Sequence, residues 1–280
     1  MREVKAWRVT GTIVMVLVMI GAGLQTWSMA VQQRTTSSRP YDEAIHRVQL
    51  ATGRASVKVR AGRPGHVVVH QRLEWMLRKP VVSAVIVDGV LDVSMHCRLI
   101  LPFADFGCGA EIELEVPPET EVTGSVGSGS VQVEGLSGQI RMELTSGQLL
   151  LSDTSGDVTV RATSGLVRGD NLSAKRVTAR MTSGTVNLDF TRPPREVDAA
   201  SVSGSVEMTL PKDSRYAFSS EIGSGNGHIE PLLQDPASPN RVHTEVVSGS
   251  VSIVPSSSTA PPEPAGSSQP AEPPRPPSAP

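Results

Sequence analysis

Aromatic side chains are scarce, with four Phe, three Trp and two Tyr in 280 residues. Sugar-binding faces commonly rest on exposed rings, and no row of rings can be drawn here: Trp7 and Trp27 flank an apolar amino-terminal segment, Phe103 and Phe106 share one short stretch, and Trp75, Tyr216 and Phe218 stand alone and suit core packing. Basic excess is also missing. A formal net charge of -2 leaves no overall footprint for nucleic acid. Beyond the amino-terminal segment no run shows helical apolar spacing, which argues against a helical or mixed fold.

Only two cysteines occur. Cys97 ends one strand-like run, VLDVSMHC, and Cys108 begins another, CGAEIELEV, with ten residues between them. That spacing reads as a hairpin closed by a disulfide, worth about 3 kcal/mol in an oxidising compartment. A two-ligand metal site or a redox pair is the rival reading. Neither fits as well, since the spacing is not C-x-x-C and His96 alternates to the other strand face.

What is present begins with the compartment signal. Arg2, Lys5 and Arg8 precede 25 uncharged residues, Val9 to Gln33, which as helix would extend about 38 Å, enough for a hydrocarbon core of about 30 Å. Residues 1–8 then read as a cytoplasmic end, 9–31 as a transmembrane anchor, and 32–45 as a polar linker, because three basic residues precede the segment against Arg34 and Arg39 after it. Ser28-Met29-Ala30 also fits a signal-peptide cleavage site. Either way the domain leaves the cytoplasm, and the anchor reading makes it a single-pass membrane protein. Residues 255–280 hold ten Pro and no large apolar side chain, and read as a disordered Pro/Ser-rich tail.

Between the two ends lies a repeat. Gly129, Gly138, Gly147, Gly156 and Gly165 fall nine apart, and Gly184, Gly204, Gly225 and Gly249 follow at 19, 20, 21 and 24, every one preceded by Ser. The doubling suggests a full turn of 18 to 21 residues with two half-turns, the later ones losing the glycine signal at Ser173-Ala174. Apolar residues at the second and fourth positions after each Gly, such as Val131 and Val133 or Leu149 and Leu151, put one strand face inward. Glycine permits positive φ at such a corner. Residues 46–254 therefore read as an all-β domain, a repetitive β-solenoid or β-roll of stacked short strands, opening with less regular hairpins over 46–120 and preceded by the amino-terminal transmembrane helix.

The ladder SGSVQVEGLSGQIRMELTSGQLLLSDTSGDVTV, the preceding AGRPGHVVVHQRLEWMLRKP, the Cys97/Cys108 hairpin leading into EIELEVPPET and the amino-terminal anchor together resemble the "putative adhesin" β-strand-repeat family DUF4097, in its actinobacterial form, over residues 40–254. The resemblance implies a β-solenoid anchored in the bacterial cell membrane with its domain extracytoplasmic and without established enzymatic activity, and some similar proteins are encoded with envelope-stress systems. Members of the family often carry Gly-Ser-Gly-Asp-Val at the corners. Here Asp takes that place once, at Asp157. The resemblance supplies no catalytic residues.

Sharper chemistries fare poorly against the residues. A calcium β-roll needs an acid after each corner, whereas Ser130, Gln139, Gln148, Asp157, Leu166, Thr185 and Ser205 stand there. Stacking at 18 to 19 residues aligns Glu134, Ser152, Asp170 and Asp189 in an outward column, with Glu143 and Arg161 on the other side, which is a solvated face rather than an acid–base pair. The six His are scattered; His66 and His70 share a strand face but suggest no third ligand. GSGNG at 223–227 has no helix or Lys after it, and the RGD at 168–170 lies in register with the repeat. Charge is segregated along the chain: Ala44 to Lys79 carries eight Lys/Arg against one acid, and Val81 to Val160 twelve acids against two Arg. This reads as two solvated faces of opposite sign, or as a basic membrane-proximal face. The expectation is a non-enzymatic adhesin or envelope scaffold without cofactor or metal, whose partners are the membrane and a cell-envelope polymer or membrane protein. The alternative is an envelope-stress sensor acting through a membrane partner.

Overall fold

The computed structural model describes residues 15, 19, 33–75, 79–96 and 109–256. Segment 9–31, apart from Met15 and Met19, lies outside the described residues, as do Cys97, Cys108 and the tail from 257. Among the described residues no helix is long and apolar enough to cross a membrane.

Among the described residues fifteen strands form one open sheet. The amino-terminal strands are β1 (Gln33–Tyr41), β2 (Arg47–Thr52), β3 (Ser56–Ala61), β4 (Val67–Trp75), β5 (Val81–Val87), β6 (Val90–His96), β7 (Gly109–Val116), β8 (Glu121–Val126) and β9 (Ser130–Glu134). Six long strands follow: β10 (Ile140–Ser152), β11 (Val158–Leu172), β12 (Arg176–Phe190), β13 (Glu196–Leu210), β14 (Ala217–Ile229) and β15 (Arg241–Pro255).

The long strands show how the repeat works. In β11, Val158, Val160 and Ala162 point inward, then Val167, Gly169 and Leu172. The inward set thus changes from even to odd numbers around Ser164-Gly165, because the strand bends there and presents two faces to one core, and it returns to an even number at Leu172 after an irregularity beyond Gly169. Each rung has a first face before the Ser-Gly bend and a second face after it. The rungs stack in parallel at offsets of 18 (Gly147↔Gly165), 19 (Gly165↔Gly184) and 20 (Gly184↔Gly204). Val, Leu, Ile and Met from both faces fill a continuous core, each fully buried large side chain contributing about 1.5–3 kcal/mol.

The nine-residue beat therefore joins two kinds of corner. Gly129, Gly147, Gly165, Gly184, Gly204, Gly249 and Gly225 stack in the bends, whereas Gly138 and Gly156 occupy a second corner in the loops between strands. Ala174 takes the next place in that loop column. Of these corner glycines, Gly165, Gly184, Gly204, Gly225 and Gly249 use the positive φ that glycine permits. At Gly147 the constraint is proximity, since a Cβ there would lie 2.5 Å from the Gly129 carbonyl oxygen.

Both ends depart from chain order. On the first face the order is β5-β6-β2-β8-β10, and on the second β1-β4-β7-β3-β9-β10. Residues 46–61, expected among irregular hairpins, form a regular rung inside the stack. Antiparallel β4 and β5 close the end beyond it. At the other end β15 inserts between β13 and β14. Residues 33–41, expected as linker, are strand β1, paired along β4 from Gln33↔Trp75 to Tyr41↔Val67. Only Tyr41 of β1 is more than marginally buried, so hydrophobic alternation carried no sign of it. The carboxyl-terminal boundary also moves out, because Pro255 pairs with Leu210 and the Ser256 N–H donates to the Leu210 carbonyl at 2.8 Å.

Candidate functional site

Outward side chains form columns along the stack, and the reversed end order decides their company. The basic rung β2–β3 lies between acidic neighbours on both sides. Arg47 Nη2 is 2.9 Å from Glu121, Lys58 Nζ 3.0 Å from Glu134, and Arg60 reaches Glu113 at 3.1 Å while also bonding Glu115. Arg72 on β4 meets Glu111 at 2.6 Å. The expected two faces of opposite sign are thus not formed; segments segregated in sequence interleave in space. Glu115 holds the Arg60 guanidinium above its ordinary pKa, and Asp198 does the same for Arg180 at 2.6 Å.

The expected carboxylate column is present in part. Glu134, Ser152 and Asp170 are register partners, but a shift between Gly169 and Leu172 breaks the column before Asp189, which has no register partner on β11. Asp170 is held by Arg168, whose Nε donates to both carboxylate oxygens at 3.0 and 2.9 Å. The RGD tripeptide is therefore closed on itself in a strand, with Gly169 turned inward under Leu172. His66 precedes β4 while His70 lies on it, 3.6 Å from Glu115. Among the described residues no group of three or more His, Cys, Asp or Glu is placed to hold a metal ion. Gly223–Gly227 lies in β14 and contributes Gly225 to the bend column.

The aromatic residues act in packing. Tyr216 is fully buried, its ring centroid 6.0 Å from that of Phe218, and burial pushes its hydroxyl pKa up to about 12. Trp75 packs partly on the core, with Lys79 Nζ 5.5 Å from its ring centroid.

One first-face trough is not charge-matched. Arg141 and Arg161 are exposed there and make no ion pair among the described residues, although Glu143 is the register partner of Arg161. Gln49, Thr123, Ser125 and Thr159 line the same depression with amide and hydroxyl groups. It offers guanidinium, hydroxyl and amide groups and one carboxylate, Glu143, over several rungs.

A corner column escaped the sequence reading. Gly135 (φ 73), Asp153 (φ 53) and Asn171 (φ 56) share the left-handed conformation at intervals of 18, and Asn171 Nδ2 donates to Asp153 at 3.3 Å. The signal was available: Gly-Leu-Ser-Gly, Asp-Thr-Ser-Gly and Asn-Leu-Ser-Ala recur at that spacing, and Gly, Asp and Asn are the residues that tolerate the conformation.

An open parallel β-solenoid with two-faced rungs, stacked bend glycines and reversed ends defines the structural class. Within that class, the family model described as Toastrack DUF4097 matches residues 125–253. The solved structure of a "putative adhesin" from Bacteroides fragilis has a TM-score of 0.50 and 12% identity, covering 79% of this chain and 97% of that one. A "putative adhesin" from Parabacteroides distasonis has a TM-score of 0.48 and 11% identity, with the same coverage of 79% and 97%. At 12% identity the likeness to the Bacteroides fragilis structure concerns the fold alone. No curated protein matches the chain.

Proposed function

We propose that the chain is a DUF4097-type envelope protein of an actinobacterium, anchored in the cell membrane by residues 9–31 with its solenoid outside, and that it acts without catalysis as a scaffold or adhesive module. Its partner is an anionic cell-envelope polymer. Arg141 and Arg161 carry this reading: neither makes an ion pair among the described residues, they stand diagonally on adjacent strands with Glu143 opposite Arg161, and hydroxyl and amide groups flank them. Successive rungs lie about 4.8 Å apart, so a polymer laid along the trough could meet several of them in turn. Guanidinium groups suit phosphate or carboxylate substituents through paired hydrogen bonds.

The test is binding of the full chain, in detergent, to purified cell-wall polymer bearing phosphate groups. Arg141→Ala with Arg161→Ala should weaken binding tenfold or more, roughly two lost charge-assisted contacts, without moving the unfolding temperature. A neutral polysaccharide should not bind. Unchanged affinity in the double variant would remove the trough from the function.

A further inference from the structure

The structure leaves almost no chain between the apolar segment and the solenoid. With β1 beginning at Gln33, an anchor ending at residue 31 is separated from the sheet by one residue, about 3.5 Å of chain. Whatever surrounds Gln33 must then sit at the bilayer surface, an argument that rests on the anchoring reading above.

The residues around Gln33 suit that position. Gln33 pairs with Trp75, the last residue of β4, and Lys79 stands over the Trp75 ring. Pro80 leads directly into β5, whose first residue, Val81, is opposite His96. β5 pairs with β6 alone among the described residues, and the Tyr41 hydroxyl donates to its Ala84 carbonyl at 3.2 Å. Its outward side chains Val81, Val85 and Val87 are 57%, 50% and 60% exposed, and the strand Val81–Val87 contains no charge. The matching edge on the second face is covered by β1, a strand of Ser, Thr, Arg and Gln. The opposite end of the solenoid, at β14, is polar and rich in Gly and Ser. The molecule therefore gathers an amphipathic ring, a long-stemmed cation and an uncharged strand with three exposed valines at the end where the chain enters.

An apolar edge strand in water is a pairing hazard that proteins ordinarily blunt with charge or Pro. At the lipid–water interface the same features are stabilising: Trp lies at headgroup level, the Lys stem stays apolar while its head reaches phosphate, and valines enter the acyl boundary. Water and headgroups at that depth can satisfy the free N–H and C=O groups of β5. The geometry points to a membrane-contact surface formed by Trp75, Lys79 and the outward valines of β5, seated in the headgroup region of the phospholipid bilayer with the solenoid standing away from it. Nine strand spacings separate β14 from β4 on the second face and from β5 on the first, which places β14 about 43 Å from the contact.

The full-length chain carrying Trp7→Phe and Trp27→Phe keeps Trp75 as its single Trp. In phosphatidylcholine–phosphatidylglycerol vesicles it should float with the lipid, and lipid brominated near the headgroup end of the acyl chain should remove most of its fluorescence. A second variant adds Trp75→Phe and Leu232→Trp, using a 54%-exposed position at the far end. That reporter should keep its fluorescence. Lys79→Glu with Val81→Asp should cut the quenching of Trp75 while flotation and the β-sheet circular dichroism persist. A floating chain with unquenched Trp75 overturns the contact but leaves the anchor. Quenching of both reporters overturns it too, because the solenoid would then lie on its side. A chain that fails to float refutes the anchoring reading, and the contact falls with it.

Discussion

At Gly165 two constraints meet in one residue. Its φ of 130° is a conformation L side chains rarely adopt, and a Cβ would collide with the Gly147 carbonyl oxygen in the neighbouring rung. Gly53, in the corner between β2 and β3, has nothing within 4 Å of a Cβ position. The same substitution should therefore have opposite weights: Gly165→Ala should destabilise by about 3 kcal/mol or more, and Gly53→Ala by less than about 0.5 kcal/mol. Urea unfolding of the full chain in mild detergent, followed by circular dichroism, measures both; equal effects would mean that the bend column imposes no packing constraint. The sequence made the glycines conspicuous but not the reason for each. Positive φ and close approach leave the same letter, and the distance to the next rung is not a property of any local window.

Among the elements, β14 and β15 are exchanged relative to the chain. The Ser-Gly intervals of 21 and 24 look like two more turns, yet Gly204 pairs with Gly249 and Gly249 with Gly225. Inward alternation predicts which residues are buried, and it does so correctly for Val206, Met208, Val251 and Ile253. It cannot predict which rung is the neighbour, because any rung with the same phase and bend satisfies the same pattern. One clue was present: Gly225 is followed at its second position by the exposed Gly227 rather than a large apolar residue, as suits the rung at the end of the stack. The last strand in sequence is thus an interior strand. Removing residues 257–280 should leave the melting temperature unchanged, whereas truncation after Asn240 removes β15, uncovers the β13 edge and strands β14, and should yield aggregated or unfolded protein. Thermal melts of the two truncations read this directly. A folded, equally stable chain ending at Asn240 would contradict the strand order.

The same exchange at the amino-terminal end governs the charge of the whole molecule. A basic stretch followed by an acidic one would, in a sequentially stacked solenoid, give two fields of opposite sign; inserting β2–β3 between β6–β7 and β8–β9 turns them into a cross-strand lattice. Each exposed pair contributes little alone, about 0–1 kcal/mol, so the lattice matters less for its attraction than for the repulsion that would follow if a sign were wrong. Arg60 is the place to test this, since its register partners are Glu115 and Glu134 and Glu113 lies within an ion pair of it. Arg60→Glu would set four carboxylates together and should destabilise the full chain by about 2 kcal/mol at low salt, combining a lost pair with like charges on adjacent strands. Raising the salt to about 1 M, where the screening length falls to about 3 Å, should recover a substantial part of that loss. Arg60→Met removes attraction without adding repulsion, so its smaller loss should hardly respond to salt. Exchanging the partners, Arg60→Glu with Glu115→Arg, should restore much of the stability. Urea unfolding of the four proteins at two salt concentrations separates these terms. If Arg60→Glu proved no worse than Arg60→Met at low salt, the carboxylates would not surround position 60, and the interleaved order of the amino-terminal rungs would be wrong.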